Sequence, residues 1–346
     1  MATRSLVEYE DKVLELYLKN KAGVLPLRYP ATDAMNINQA LLQVVHNVHI
    51  QEPVAKIGLT AQPKLRLHQI CYSSETSQNI PAQFLALENL NNNRPDWREY
   101  WPIRQYLLNH TLEDDVFYGF LSPRFTYKTG LDFEKIRNFV HQHGRENDVL
   151  IFSPFWDLNS FFLNPFSQGE FFHPGLLESM QKFSDHAGLK LELNSVVMHT
   201  DNTAFCNYFI AKKKFWLHWL ELGEKLFQVV ESGEGDVAES LKKNTLYSKE
   251  YLPHKIFVQE RLVNLVLAQP GFKSKAFNVF DMPGSVTPLN QFMPQAVIAN
   301  ALKLAHVQLG AQEYLDAFRQ IHELVWEQSG MAKLADLREG LKEPEK

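Results

Sequence analysis

Cysteine is nearly missing from this chain: Cys71 and Cys206 are the only two in 346 residues. Two thiols cannot build a disulfide framework, and no Cys-based zinc spacing is present. Each sits in an apolar, strand-like context and reads as a small buried hydrophobe. Long apolar runs are missing too; none approaches the ~18 residues that a membrane span requires. Residues 1–11 carry Arg4, Glu8, Glu10 and Asp11, which is not the pattern of a secretory signal. A soluble cytoplasmic protein is the expectation. Cationic excess is also lacking: 35 Lys and Arg stand against 40 Asp and Glu, for a net charge of −5. Nucleic acid is therefore not the expected partner, although a local basic pocket for phosphates stays open. No Gly-rich loop follows a strand, so neither a P-loop nor the dinucleotide fingerprint is supported. No internal repeat is visible.

Hydrophobic residues make up 45% of the chain and aromatics 12%, with 24 Phe, enough for a sizeable core. The aromatics cluster between residues 97 and 227. The chain is organised around residues 114–125, in which Asp114 and Asp115 lead into the β-forming run Val-Phe-Tyr-Gly-Phe-Leu and then Ser122-Pro123-Arg124. That run predicts a buried strand. Residues 148–152 repeat the layout, an acidic start and an apolar run before Ser153-Pro154. The two read as neighbouring strands joined by a crossover helix over 132–144. Further strands are expected at 65–72, 189–198 and 205–211. Helices are expected at 97–110 (capped by Asp96), 175–187, 213–231, 256–268, 294–308 and 311–328. Residues 158–173 are aromatic and irregular, and they read as a segment folded over a pocket, because a surface loop would expose several Phe side chains. Residues 5–20 and 36–50 have helical spacing, the first with a Ser5/Glu8 capping box. The expected organisation is a helical extension over 1–60, an α/β domain over 61–280, and a helical region over 281–346.

Open α/β sheets bind ligands beyond the carboxyl ends of their strands, so strand-end polar residues are the candidates. Tyr72, Ser122 and Arg124 follow the first two strands. Trp156-Asp157 follows the 148–152 strand; the carboxylate suits a cation or base role, or a helix cap. His199 and Asp201 follow the 189–198 run and suit metal binding, proton handling, or a hydrogen-bonded turn. Glu170 and His173, three apart among Phe residues, suit proton transfer or a structural bond. Glu260-Arg261 lies in an otherwise apolar helix, where charges are costly unless paired or functional; Arg261 suits a phosphate or carboxylate clamp, or an internal ion pair. His46 and His49 form a weak metal pair without a third ligand.

Five stretches occur in an order that resembles a family of bacterial glycosyltransferases found with surface-polysaccharide genes. They are Trp-Arg-Glu-Tyr-Trp-Pro-Ile over 97–103, residues 118–125, Asn-Tyr-Phe-Ile-Ala-Lys over 207–212, the aromatic helix over 215–227, and Gln-Glu-Arg-Leu over 259–262. The likeness covers roughly residues 64–270. It implies a Rossmann-like, GT-A-type mixed sheet flanked by helices, with helical additions at both ends. It also implies transfer of a sugar from a nucleotide-sugar to a saccharide or lipid-linked acceptor, with peripheral membrane association compatible with the latter. Arg124, Asn207, Glu260 and Arg261 carry over as substrate-binding residues. Asp157, His199, Asp201 and Glu170 are the catalytic candidates, and Trp156 and His173 would line the substrate site. His199 and Asp201 would hold a divalent cation, Mg or Mn, although no Asp-x-Asp occurs in the chain. The family's strand ends in a His-Tyr-Arg-Arg-like motif, whereas this chain has Leu121-Ser122-Pro123-Arg124. That departure suits the alternative, a non-catalytic binding or scaffold protein on a degenerate transferase fold.

Overall fold

The computed structural model describes residues 62–247 and 250–333. The helices expected at 5–20 and 36–50, and the His46/His49 pair, lie outside the described residues. From Pro63 on, the described chain belongs to one unit. Its elements run β1 (Lys64–Cys71), α1 (Ser74–Gln78), β2 (Leu85–Glu88), α2 (Tyr100–Asn109), β3 (Val116–Leu121), α3 (Phe125–Thr129), α4 (Phe133–His143), β4 (Val149–Ile151), α5 (Trp156–Phe161), α6 (Pro165–Phe172), α7 (Leu176–His186), β5 (Phe209–Ala211), α8 (Lys213–Ser232) and α9 (Gly235–Lys242). There follow the antiparallel pair β6 (Asn244–Tyr247) and β7 (Glu250–Pro253), then α10 (His254–Gln259), α11 (Leu262–Leu267), β8 (Ser274–Ala276), α12 (Met293–Leu309) and α13 (Gln312–Ser329).

Six strands form a mixed sheet in the order β2-β1-β3-β5-β4-β8, in which only β5 runs antiparallel to its neighbours. The fold is α/β and Rossmann-like, with helices on both faces. β3 explains the layering. All six of its residues are buried, as a strand covered on both faces requires. Val116, Tyr118 and Phe120 enter the core shared with α2 and α8, while Phe117 and Leu121 enter the one shared with α3 and α4. Gly119 lets the strands close up: a Cβ there would lie 2.6 Å from Ile210 Cγ2 and 2.9 Å from a Leu67 methyl. α12 and α13 join the first core through Ala296, Ala299, Phe318 and Val325. No described helix is long and apolar enough to cross a membrane.

Four expectations change. The 114–125 and 148–152 segments are strands, but β5 lies between them, so they are next-but-one neighbours. Residues 189–198 form no strand. Their backbone is satisfied by side chains instead: Gln181 accepts from Leu193 N at 3.0 Å and donates to Leu191 O at 2.9 Å, and Asn164 donates to Leu193 O and Val196 O. Residues 158–173 are not irregular but fold as α5 and α6. Asn164 caps the second, accepting from Phe166 N and Ser167 N, and Pro165 occupies its first turn, a favourable N-terminal pairing. The single helix expected at 256–268 is broken at Glu260-Arg261 into α10 and α11.

Candidate active-site cleft

The chain passes from β1 to β2 on one side and to β3 on the other, so strand order reverses between β1 and β3. The crevice beyond their carboxyl ends is where such sheets bind ligands. Tyr72, exposed, follows β1; Ser122 and Arg124 follow β3. Because β5 is antiparallel, its amino end lies at this same edge and brings Cys206, Asn207 and Tyr208. Ser122 Oγ and Tyr208 OH hydrogen-bond at 2.9 Å across the edge. Non-glycine residues with positive φ among the described residues are Asn92, Arg98, Phe155, Cys206 and Asn207. All but Asn92 belong to segments around this edge. Such conformations cost ~1–3 kcal/mol each and cluster at functional sites.

The turn that carries Arg98 and Glu99 is pinned from two sides. Arg94 grips Asp96 through two bonds of 2.9 Å and reaches Glu231 at 2.6 Å. Lys255, on α10, donates to Asp96 at 2.8 Å while its ammonium lies 4.6 Å from the Trp97 ring centroid. Hydrogen bonds from Arg94 and Lys255 hold the Asp96 carboxyl well below the usual carboxylate range. The far end of α10 delivers Glu260, whose charge acts on Glu99. One short helix thus positions both carboxylates.

Burial first, and the Glu260 charge second, push Glu99 up to about 7, against the pull of Lys128 and a hydrogen bond with the Asn207 side chain. Glu260 is also pushed up by the protein around it, against Arg261, Lys128 and Arg98. It remains accessible to solvent even though protein surrounds it, the combination expected of a cleft wall. Lys128 is the central cation: its Nζ lies 3.6 Å from Cys206 Sγ and 5.9 Å from the ring centroids of both Phe155 and Tyr208. Burial pushes the Cys206 thiol up to about 11, with Lys128 opposing. Tyr247, on β6, is raised by burial and by Glu260, so the β6–β7 pair borders the same cleft. Asn207 is 8% exposed and its Oδ1 has no hydrogen-bond partner. Nearly all buried polar atoms find partners, and a bound ligand with an O–H or N–H would supply this one.

The residues expected from sequence divide sharply. Tyr72, Ser122, Arg124, Asn207 and Glu260 come together at the carboxyl edge. Asp157 does not: it is buried at the start of α5, where it accepts from Ser285 N, Ser285 Oγ and Thr287 Oγ1 and ties down the 283–287 loop. Trp156 is buried against Gly284 and Phe280. Glu170 accepts from Gly175 N and Leu177 N and so caps α7. His173 stacks on Phe257 with centroids 3.8 Å apart. His199 Nδ1 accepts from Asp201 N, while Asp201 accepts from Ala276 N and Lys275 Nζ. That pair fastens a turn to edge strand β8, and burial lowers His199 to about 4. His199 Nδ1 and both Asp201 oxygens are thus engaged in bonds within the protein. Among the described residues no three His, Cys, Asp or Glu side chains are grouped to hold a metal ion. Arg261 is buried in the core, with its donors on Pro165 O, Phe257 O and Gln168 Oε1, so it clamps no ligand.

Sequence reasoning missed Glu99, Lys128, Tyr208 and Tyr247. Glu99 lay inside an expected amphipathic helix, and Lys128 followed the Ser-Pro-Arg turn by one helical turn. The available signal was the strand-end rule extended to that next turn. A separate groove of about 460 Å³ lies between α6 and α13, lined mainly by Phe162, Phe171, Phe318 and Trp326. Its polar lining is Ser167, Glu170, Arg319 and His322; Glu170 is engaged in capping α7, and His322 Nδ1 lies 2.8 Å from Phe161 O. The chain matches no protein-family model, no curated protein and no solved structure.

Proposed function

We propose that this cleft binds a nucleotide-sugar and transfers its glycosyl group to a hydroxyl of a saccharide or lipid-linked acceptor. The observation that carries the reading is the Glu99–Glu260 carboxylate pair with Lys128 and the unpartnered Asn207 Oδ1, all at the switch point of the sheet. The strand order, with β5 alone antiparallel, supports the GT-A type. The resemblance over residues 64–270 supports the donor class.

In this reading Glu99 is the general base. A base with a proton affinity near the working pH combines availability with driving force. The acceptor oxygen attacks the anomeric carbon as its proton passes to the Glu99 carboxylate. The bond from the anomeric carbon to the phosphate oxygen breaks, and its electron pair leaves on the nucleotide's terminal phosphate. Lys128, Arg98 and Arg124 meet the developing negative charge, the kind of fixed electrostatic stabilisation that dominates many enzymes. Asn207 Oδ1 receives a hydroxyl or amide donor from the sugar. Tyr72 stacks on the base. The reaction is cytoplasmic, with peripheral membrane association when the acceptor is lipid-linked.

A panel of UDP-, GDP-, CMP- and dTDP-sugars, with and without Mg or Mn, tests the proposal by hydrolysis and thermal shift. One nucleotide class is expected to stabilise the protein and be turned over, and Glu99→Gln is expected to keep the shift and lose turnover by 10²-fold or more. No shift and no turnover with any member overturns it. The diversion of Asp157, His199, Asp201 and Glu170 into structural bonds favours a second reading, a binding protein on the same fold; a shift without turnover in the wild type selects that one.

A further inference from the structure

Arg261 is a buried guanidinium whose hydrogen bonds go to neutral acceptors: Nε to Pro165 O at 3.0 Å, Nη1 to Phe257 O at 3.0 Å and Nη2 to Gln168 Oε1 at 2.8 Å. Gly169 makes room for it, since a Cβ there would lie 2.9 Å from Nε. A buried cation is costly unless its charge is compensated. Its compensation is the adjacent carboxylate, Glu260, at the break between α10 and α11. The side chains of residues 260 and 261 therefore go opposite ways, one to the cleft and one to the core.

We infer that Arg261 is a positioning residue: anchored in the core, it sets the break at 260–261 so that Glu260 stands in the cleft as the charged partner of Glu99. This deepens the reading of the cleft as the reaction site and rests on it for its catalytic meaning. Two neighbouring carboxylates cannot both ionise freely, and their protons belong to the pair unless something breaks the symmetry. Arg261 breaks it. The charges of Arg261, Lys128 and Arg98 act on Glu260, which in turn acts on Tyr247, whereas Glu260, Lys128 and Asn207 act on Glu99, which in turn acts on Cys206 and Tyr208. With the core guanidinium beside Glu260, the proton of the pair goes to Glu99, which makes Glu99 the residue that exchanges a proton with substrate.

The full chain, labelled with [5-¹³C]Glu, is titrated by NMR without ligand, with Glu99→Gln and Glu260→Gln assigning the two signals. In the wild type Glu99 is expected to take up its proton at higher pH than Glu260. Arg261→Gln is expected to reverse that order, and Arg261→Lys, which retains the charge, to preserve it. A merely structural arginine would affect stability in both variants and the order in neither. Folded Arg261→Gln with the wild-type order overturns the proposal. Should Arg261→Gln not fold, Gln168→Ala decides: release of one arm of the fork is expected to raise the Glu260 midpoint and lower that of Glu99, and unchanged midpoints overturn the inference. Because the titration needs no activity, its failure is distinct from failure of the donor panel. Where turnover is found, the acid limb of kcat/KM is expected to follow the Glu99 midpoint through the series.

Discussion

Asn207 couples two properties that rarely coincide: a left-handed backbone at φ 55° and a buried acceptor with nothing to accept. Both are unfavourable to folding and both are suited to ligand capture. Asn207→Gly tolerates the backbone conformation and removes the acceptor. It is expected to leave Tm within a few degrees of the wild type while weakening nucleotide-sugar binding at least tenfold in calorimetry. The same change removes a hydrogen bond that lowers Glu99, so the acid limb of the rate profile moves to higher pH than the wild-type value near 7. For the proposed reaction the sign is simple: as the base, Glu99 would act only when deprotonated, so the rate is expected to rise with pH through its midpoint. For stability the sign is opposite. The native state retains a proton that the unfolded chain has released above ~4.3, so Glu99 favours folding less as pH rises toward 7. Asp157 is the contrasting residue. Asp157→Ala orphans buried donors at Ser285 and Thr287, at ~1–3 kcal/mol for each unsatisfied group. A lowered urea midpoint with unchanged turnover per folded molecule is the expected result. Turnover falling with stability intact would return Asp157 to the chemistry.

Periodicity made most elements legible. β1, β3, α4, α8, α12 and α13 fall where alternation or helical spacing put them, because each buries one continuous apolar face or run. The losses have specific causes. Residues 189–198 carry strand-like apolar residues, but Gln181 and Asn164 occupy the hydrogen-bonding groups that a neighbouring strand would use. Strands β2 and β8 are only four and three residues long, too short for a pattern to register. The break at Glu260-Arg261 was invisible because Val, Leu and Ile continue across it. The site was half legible for a related reason. Strand ends can be read from sequence, and they led to Tyr72, Ser122 and Arg124, whereas Asn207 came only with the family resemblance. Glu99 and Lys128 reach the cleft through a pinned turn and a five-residue helix, which depend on tertiary anchoring. At this scale Gly119→Ala is the sharpest packing test. The added methyl meets Ile210 and Leu67 inside their contact radii, and the expected cost is ~1–3 kcal/mol, measurable by urea denaturation.

For the whole molecule, a buried cation adds to the apolar contacts that fasten α12. Lys303, fully buried, donates to Asn159 O and Phe162 O at 2.7 Å each, and burial lowers it to about 7. The unfolded chain keeps this proton up to about 10.4, so between those values the native state binds fewer protons and stability rises with pH, by at most ~1.4 kcal/mol per unit. Urea midpoints between pH 7 and 9 are expected to climb more steeply in the wild type than in Lys303→Met. Equal slopes would show that the ammonium is matched by a charge that moves with it.

The lone antiparallel strand also has a consequence for synthesis and folding. β3 is complete by Leu121, but its partner edge is filled only when Ile210 and Ala211 arrive, and these two, with Phe209, also join β4 to the sheet. Until then β2-β1-β3 presents an open edge whose residues are all hydrophobic or Gly, a template for pairing with another nascent chain. Pairings this distant in sequence close slowly. The ribosome must release more than two hundred residues before that edge is sealed, so this protein's yield in a cell is expected to depend on chaperones that shield β3 during that interval.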